Sequence, residues 1–164
     1  MRTVPIARRP NKVGAEEFAS PPGEDRSFAA FLQSLPDVLA ARDFRAVSLA
    51  LVDATVAGKA VVAMLGGHVV KTGLAPVLLE LMRRGAITHV AMNGSAAIHD
   101  YEIARFGATS ENVAAGLRDG TFGMAEETGR SLNDAFVLGM RSEWGMGEAV
   151  AGAREADQSL AHPE

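Results

Sequence analysis

At 164 residues the chain has room for one domain of ordinary size and little for a second. Apolar residues at 48% and charged residues at 22% exclude a wholly disordered or collagen-like chain. Sixteen basic against twenty acidic groups, a net charge of −4, supply no positive field for nucleic acid or an anionic membrane, and the lack of cysteine excludes disulfides, thiolate metal sites and cysteine nucleophiles.

Neither nucleic acid nor a membrane is therefore an expected partner. The longest apolar run, Ala60 to Leu65, falls far short of the roughly 18 residues of a spanning helix. The basic opening MRTVPIARRPNK is followed by GAEEFASPPGED, with no apolar stretch between them, so it does not read as a secretory signal, and a cytoplasmic location is expected. Charge is uneven along the chain: residues 1–99 carry 11 basic and 8 acidic groups, residues 100–164 carry 5 and 12. The second part is acidic, which favours a cationic ligand or a solvated helical surface.

Residues 1–26, with Pro5, Pro10, Pro21, Pro22 and Gly23 and few large apolar side chains, read as a flexible N-terminal arm. Ser27 is placed to cap a helix through Ser34, the Leu35-Pro36-Asp37 step restarts it, and Arg42 to Ala57 has the periodicity of a second helix. After Gly58, KAVVAML reads as a buried strand ended by Gly66-Gly67. Leu74, Val77, Leu78 and Leu81 form a helical stripe closed by Arg83, Arg84 and Gly85, and ITHVAMN from Ile87 is a second strand. Strand, helix and strand at this spacing make a βαβ unit with parallel strands, so the fold class is α/β. Helices are expected from Asn93 to Gly107, over ENVAAGL behind a Thr109 or Ser110 cap, over residues 124–142, and from Gly145 to Arg154. Residues 27–154 are thus read as one α/β nucleotide-binding domain and 155–164 as a disordered tail. Two secure strands are few for such a sheet, and an unpaired edge favours a homo-oligomer.

Two constellations carry chemistry. Gly66, Gly67 and His68 follow the first strand, where open α/β sheets bind ligands, and glycines there let a phosphate or ribose approach the main chain. Lys71 and Thr72 lie just beyond. At the end of the second strand, Asn93, Gly94 and Ser95 leave space for a ligand. His99 and Glu102, three apart on one helix face, form the candidate catalytic pair for acid–base work, with Asp100 as a further acceptor. A metal at His99 with His68 or His89 is disfavoured, because imidazole and carboxylate at this spacing more often make a simple hydrogen bond. His89 itself reads as a core histidine. Glu111 suits a first helical turn, Asp119 to Gly123 a turn, and Glu126, Glu127 and Asp134 a solvated face.

From Val61 to about Asp134 the chain resembles deoxyhypusine synthase and its bacterial relatives. The likeness lies in a strand, a small polar turn and a Gly-Leu helix (Gly66-Gly67-His68, then Thr72-Gly73-Leu74), and in a second strand whose glycine turn leads to acidic residues (Asn93-Gly94-Ser95, then Asp100 and Glu102). GGHVVKTGL and NGSAAIHDYE mark a distinct subgroup. The resemblance implies a Rossmann-like, NAD-binding parallel sheet with flanking helices, an oligomer, and chemistry on spermidine or a similar polyamine. In that chemistry the polyamine is dehydrogenated to an imine and its aminobutyl group passes to a lysine. By position, Gly66, Gly67 and His68 stand for the first dinucleotide turn, Asn93, Gly94 and Ser95 for the second, and Asp100 or Glu102 for the ribose contact. The likeness covers the N-terminal half of the family's chain, and none of Lys12, Lys59 and Lys71 falls in a segment matching its imine-forming lysine. A noncatalytic nucleotide-binding or interaction module is the alternative, and a metal hydrolase around His99 and Glu102 comes third.

Overall fold

The structure, a computed structural model, describes residues 2–156. It falls into two compact units, one ending at Lys59 and one beginning at Ala60, so a boundary lies inside the 27–154 stretch expected as one domain.

The first unit holds α1 (Phe28–Ser34) and α2 (Leu39–Val56). Ser27 caps α1 as expected, its hydroxyl accepting from the Ala30 amide at 3.1 Å. The last carbonyls of a helix have no partner within it. Here Arg45 of α2 supplies one: its guanidinium donates to the carbonyl oxygens of Leu32 at 3.1 Å and Gln33 at 3.3 Å, and also to that of Leu35. Part of the presumed arm joins this unit. The Asp37 amide donates to the Glu17 carbonyl at 2.8 Å, the Ser20 amide to the Ser34 carbonyl at 3.0 Å, and Arg42 pairs with the Glu17 carboxylate.

The second unit is mixed α/β, mostly helical, with a two-stranded parallel sheet. Its elements are β1 (Val62–Leu65), α3 (Gly67–Lys71), α4 (Ala75–Arg83), β2 (His89–Met92), α5 (Gly94–Phe106), α6 (Val113–Asp119), α7 (Glu126–Arg141) and α8 (Met146–Ala156). Val62 pairs with His89 and Leu65 with Met92, so both strands end level with each other. The βαβ reading therefore holds, with one addition: the chain after Gly66 is a short helix, α3, where a plain turn was expected.

The strands are not buried on both faces as expected. Val62 is 54% and Met64 84% exposed, and His89, expected in the core, is exposed with its Nδ1 3.1 Å from the Thr88 hydroxyl. The physical reason is the width of the sheet. Two strands present too little surface for helices to cover both faces, and the stripe of α4 is covered at Leu78 and Leu81 but open at Leu74 and Val77. Glu155 and Ala156 of the expected tail belong to α8, and the rest of it lies outside the described residues.

Burial concentrates where helices cross. α3 packs on α5, α7 on α8, and α5 also meets α7 and β2. The buried apolar residues are Val70, Ile87, Ala96, Ala104, Leu132, Ala135 and Ala149, and the many alanines reflect close backbone approach. Gly139 shows how close: a Cβ there would lie 2.4 Å from the Ala149 Cβ. Gly139→Ala is therefore expected to destabilise the protein by about 1–3 kcal/mol by overpacking the α7–α8 crossing. A urea unfolding series with an unchanged midpoint would contradict this.

Candidate functional site

The two strand ends bring the predicted turns together. Asn93 caps α5, its side-chain oxygen accepting from the Ala96 amide at 3.2 Å and from the Ser95 hydroxyl at 2.8 Å. The Ser95 oxygen in turn accepts from the Gly67 amide at 3.2 Å. A chain of hydrogen bonds, Gly67 to Ser95 to Asn93, thus ties the start of α3 to the start of α5.

Gly67 serves this contact and not the approach of a ligand. A Cβ there would stand 2.7 Å from the Ser95 oxygen and 2.8 Å from His99 Cδ2, so protein already fills the space the missing side chain leaves. Gly94 differs: a Cβ there would meet nothing within 4 Å, and its backbone opens onto a cleft. Gly66 sits in ordinary contact distance of the Asn93 side chain, and His68 is exposed on α3. Asp100 lies on another face of α5, where its carboxylate is 3.5 Å from Arg154 of α8. Gly94, Ser95, His99 and Glu102 thus line the clefts beside α5, Gly66, Gly67 and Asn93 join them through contacts between the two turns, and His68 and Asp100 line neither cleft.

Beyond the turns, α5 carries His99 and Glu102 to two adjoining clefts of about 430 and 480 Å³, and both residues line both clefts. These volumes are in the range of small-molecule sites. Gly94, Ser95, Asn133 and Phe136 contribute to the first, and Lys71, Thr109 and Phe122 to the second. The His99 and Glu102 side chains are 17% and 18% exposed, enough to reach solvent while packed on most sides.

The pair does not bond directly, since His99 Nδ1 and the nearest Glu102 oxygen are 3.9 Å apart. Thr109 stands between them. Its hydroxyl lies 2.7 Å from His99 Nδ1 and donates to Glu102 Oε2. Thr128, buried on α7, donates to the other Glu102 oxygen at 3.1 Å. The carboxylate thus accepts two hydroxyl hydrogen bonds from two separate segments, so both its oxygens are fixed in place.

Neither threonine was recognisable as a site residue from the sequence. Thr109 or Ser110 was expected to cap the helix over ENVAAGL, but Asn112 caps it, accepting from the Ala115 amide at 3.0 Å. Asparagine is at least as good a cap and stands directly before the helix, which releases Thr109 to turn inward. Ser110, the next residue, has φ +67°, a left-handed backbone uncommon outside glycine. Glu111, expected in the first turn of α6, instead accepts from the Gly123 amide at 2.8 Å and closes the 119–123 loop beside the second cleft. Among the described residues, no group of three or more histidine, aspartate or glutamate side chains converges as a metal site.

Comparison with protein-family models, with curated proteins and with solved structures finds no match to this chain.

The two glycines of the turns should respond in opposite ways to the same substitution. Gly67→Ala forces its new methyl group against Ser95 and His99 and is expected to cost about 1–3 kcal/mol. Gly94→Ala, in the open first turn of α5, is expected to be neutral or stabilising by up to about 1 kcal/mol. Equal melting-temperature shifts in the two variants would contradict the assigned roles.

Proposed function

We propose that the clefts beside α5, which open next to Gly94 and Ser95 at the carboxyl end of β2, form a deoxyhypusine synthase-like site in which a Rossmann-like α/β unit holds NAD and a polyamine-type substrate. No lysine of this chain matches the family's imine-forming residue, so this chain alone does not complete aminobutyl transfer. The observation that carries this reading is the convergence of both strand-end turns on one helix, α5, which also presents His99 and Glu102 to an open cleft. Ligands of open α/β folds bind at such strand ends.

The residues there suit a dinucleotide in part. Gly94 offers open backbone at the start of α5, where a helix N-terminus favours a phosphate, and Asn93 already accepts from the Ala96 and Ala97 amides there. When bound, NAD supplies the hydride acceptor. His99 is the group in this chain placed to take the proton that a polyamine nitrogen loses as its neighbouring carbon is oxidised, with Glu102 behind it. Glu102 and Glu111 on the cleft wall suit a cationic amine, as does the acidic second part of the chain.

The same reading includes a cytoplasmic location and a homo-oligomer. Among the described residues no helix is long and apolar enough to cross a membrane. Among the described residues neither outer edge of the two-stranded sheet has a strand partner, and Val62, Met64 and Met92 are exposed, which favours association with a second copy. A noncatalytic nucleotide-binding or interaction module is supported by one observation, that none of the three lysines matches the family's imine-forming residue.

Calorimetric titration with NAD tests the cofactor assignment. Saturable heat is expected below millimolar NAD, and its absence in folded protein removes the assignment. With NAD, labelled spermidine and a lysine acceptor protein, this chain alone is expected to leave the acceptor unlabelled. Sedimentation across concentrations is expected to give a dimer or larger species, burying about 800 Å² per partner. A monomer at tens of micromolar that takes up no hydrophobic dye argues against the oligomer.

A further inference from the structure

We propose that Thr109 is a positioning residue that sets the tautomer of His99, leaving Nε2 as a ready proton acceptor at the cleft. This rests on the reading of His99 as the group that takes a proton there, and extends it to a residue outside the two turns and outside the His99–Glu102 pair.

An ionised carboxylate has no hydrogen to donate, so every hydrogen bond that Glu102 makes is one it accepts. The Thr109 hydroxyl has a single proton, and it is given to Glu102 Oε2. Toward His99, 2.7 Å away, the Thr109 oxygen can then only accept. His99 Nδ1 must therefore carry a hydrogen and donate it. A neutral imidazole with its hydrogen on Nδ1 has a bare lone pair on Nε2.

Nε2 is also where that lone pair is usable. It has no hydrogen-bond partner among the described residues, and no buried polar side-chain atom among them is left unpaired, so Nε2 retains contact with solvent on a residue that lines the open cleft. The ring carbon bonded to Nε2, Cδ2, occupies the space a side chain at Gly67 would take, which holds the ring in place. Thr128 completes the arrangement from behind. By donating to Glu102 Oε1 at 3.1 Å it keeps the carboxylate from rotating away from Thr109. The direction of proton flow follows. When Nε2 takes a proton from a substrate N–H or O–H, the imidazolium that forms keeps its Nδ1–H on Thr109, and its positive charge lies 3.9 Å from the Glu102 carboxylate. No proton needs to leave the relay, and the step balances as one proton moved from substrate to Nε2.

Thr109 differs from a merely structural residue in what it controls, and long-range ¹H–¹⁵N NMR of the imidazole nitrogens reads that directly. The spectrum is recorded on ligand-free ¹⁵N-labelled protein at about pH 8, where most histidines are neutral, and His99 is assigned by the loss of its signals in His99→Gln. The expected result is an Nδ1–H pattern for His99. Thr109→Val, which removes the hydroxyl, is expected to turn His99 to a majority of the Nε2–H form, and Thr109→Ser is expected to restore the original pattern. Should Thr109→Val fail to fold, the wild-type and Thr109→Ser spectra still decide. A wild-type Nε2–H pattern overturns the proposal, and so does a folded Thr109→Val protein with an unchanged one. The measurement needs no NAD or polyamine, so failure of the cofactor assignment leaves its outcome standing.

Discussion

The site depends on the close approach of α3 and α5. Both helices start where a strand ends, and their first residues meet because position 67 has no side chain. The Gly67 amide reaches Ser95, and His99 Cδ2 fills the space a side chain at 67 would take. Any larger residue would open this crossing and move α5, and with it every polar group that α5 carries to the cleft. The same device recurs at the α7–α8 crossing, where Gly139 meets Ala149. Small residues at crossings let backbones approach closely, so geometry is fixed by contact between main chains and not by interlocking large side chains.

On this rigid start α5 presents two faces with different work. Asp100, Tyr101 and Ala104 turn toward α7 and α8, where Tyr101 donates to Ser131 at 2.7 Å and Asp100 faces Arg154. His99 and Glu102 turn toward the clefts. The first face attaches α5 to the helices behind it, and the second is held by hydroxyls from the 107–112 connection and from α7. Because Glu102 is reached from two segments distant in sequence, the position of the carboxylate reports on the packing of the whole second unit.

The sheet adds a different constraint. Among the described residues the parallel pair has no strand partner on either outer edge and little cover on its faces, and the exposure of Met64 and Val62 follows from that. The apolar sequence of β1 is what a strand in the middle of a layered structure carries. The contrast between an interior sequence and an exposed position is the physical ground for expecting a partner against this sheet.

Local chemistry made much of the fold legible. Ser27 and Asn93 are cap residues placed directly before helical stripes, and the glycines after Phe106 and Asp119 adopt the left-handed conformation that ends a helix, so these boundaries follow from short-range rules. The β-branched run before Gly66 and the spacing to the next strand are enough to give a parallel βαβ unit. His99 and Glu102 were visible as a pair because i and i+3 share a helix face. What sequence could not give is any relation that crosses segments. The caps, stripes and i, i+3 pairs depend on neighbours within one turn. Thr109 and Thr128 meet Glu102 only through the path of the 107–112 connection and the packing of α7, and nothing within a few residues of either threonine encodes that meeting. Gly67 looked like an opening for a ligand because a glycine signals space in sequence, and only the helix packed against it shows that the space is filled. His89 and Val62 looked buried because composition reports what a strand can pack against, while the number of layers around it decides what it does. Sequence set the elements and their ends through contacts within a turn. Tertiary structure alone decided which polar groups share a proton and which apolar faces stay in water.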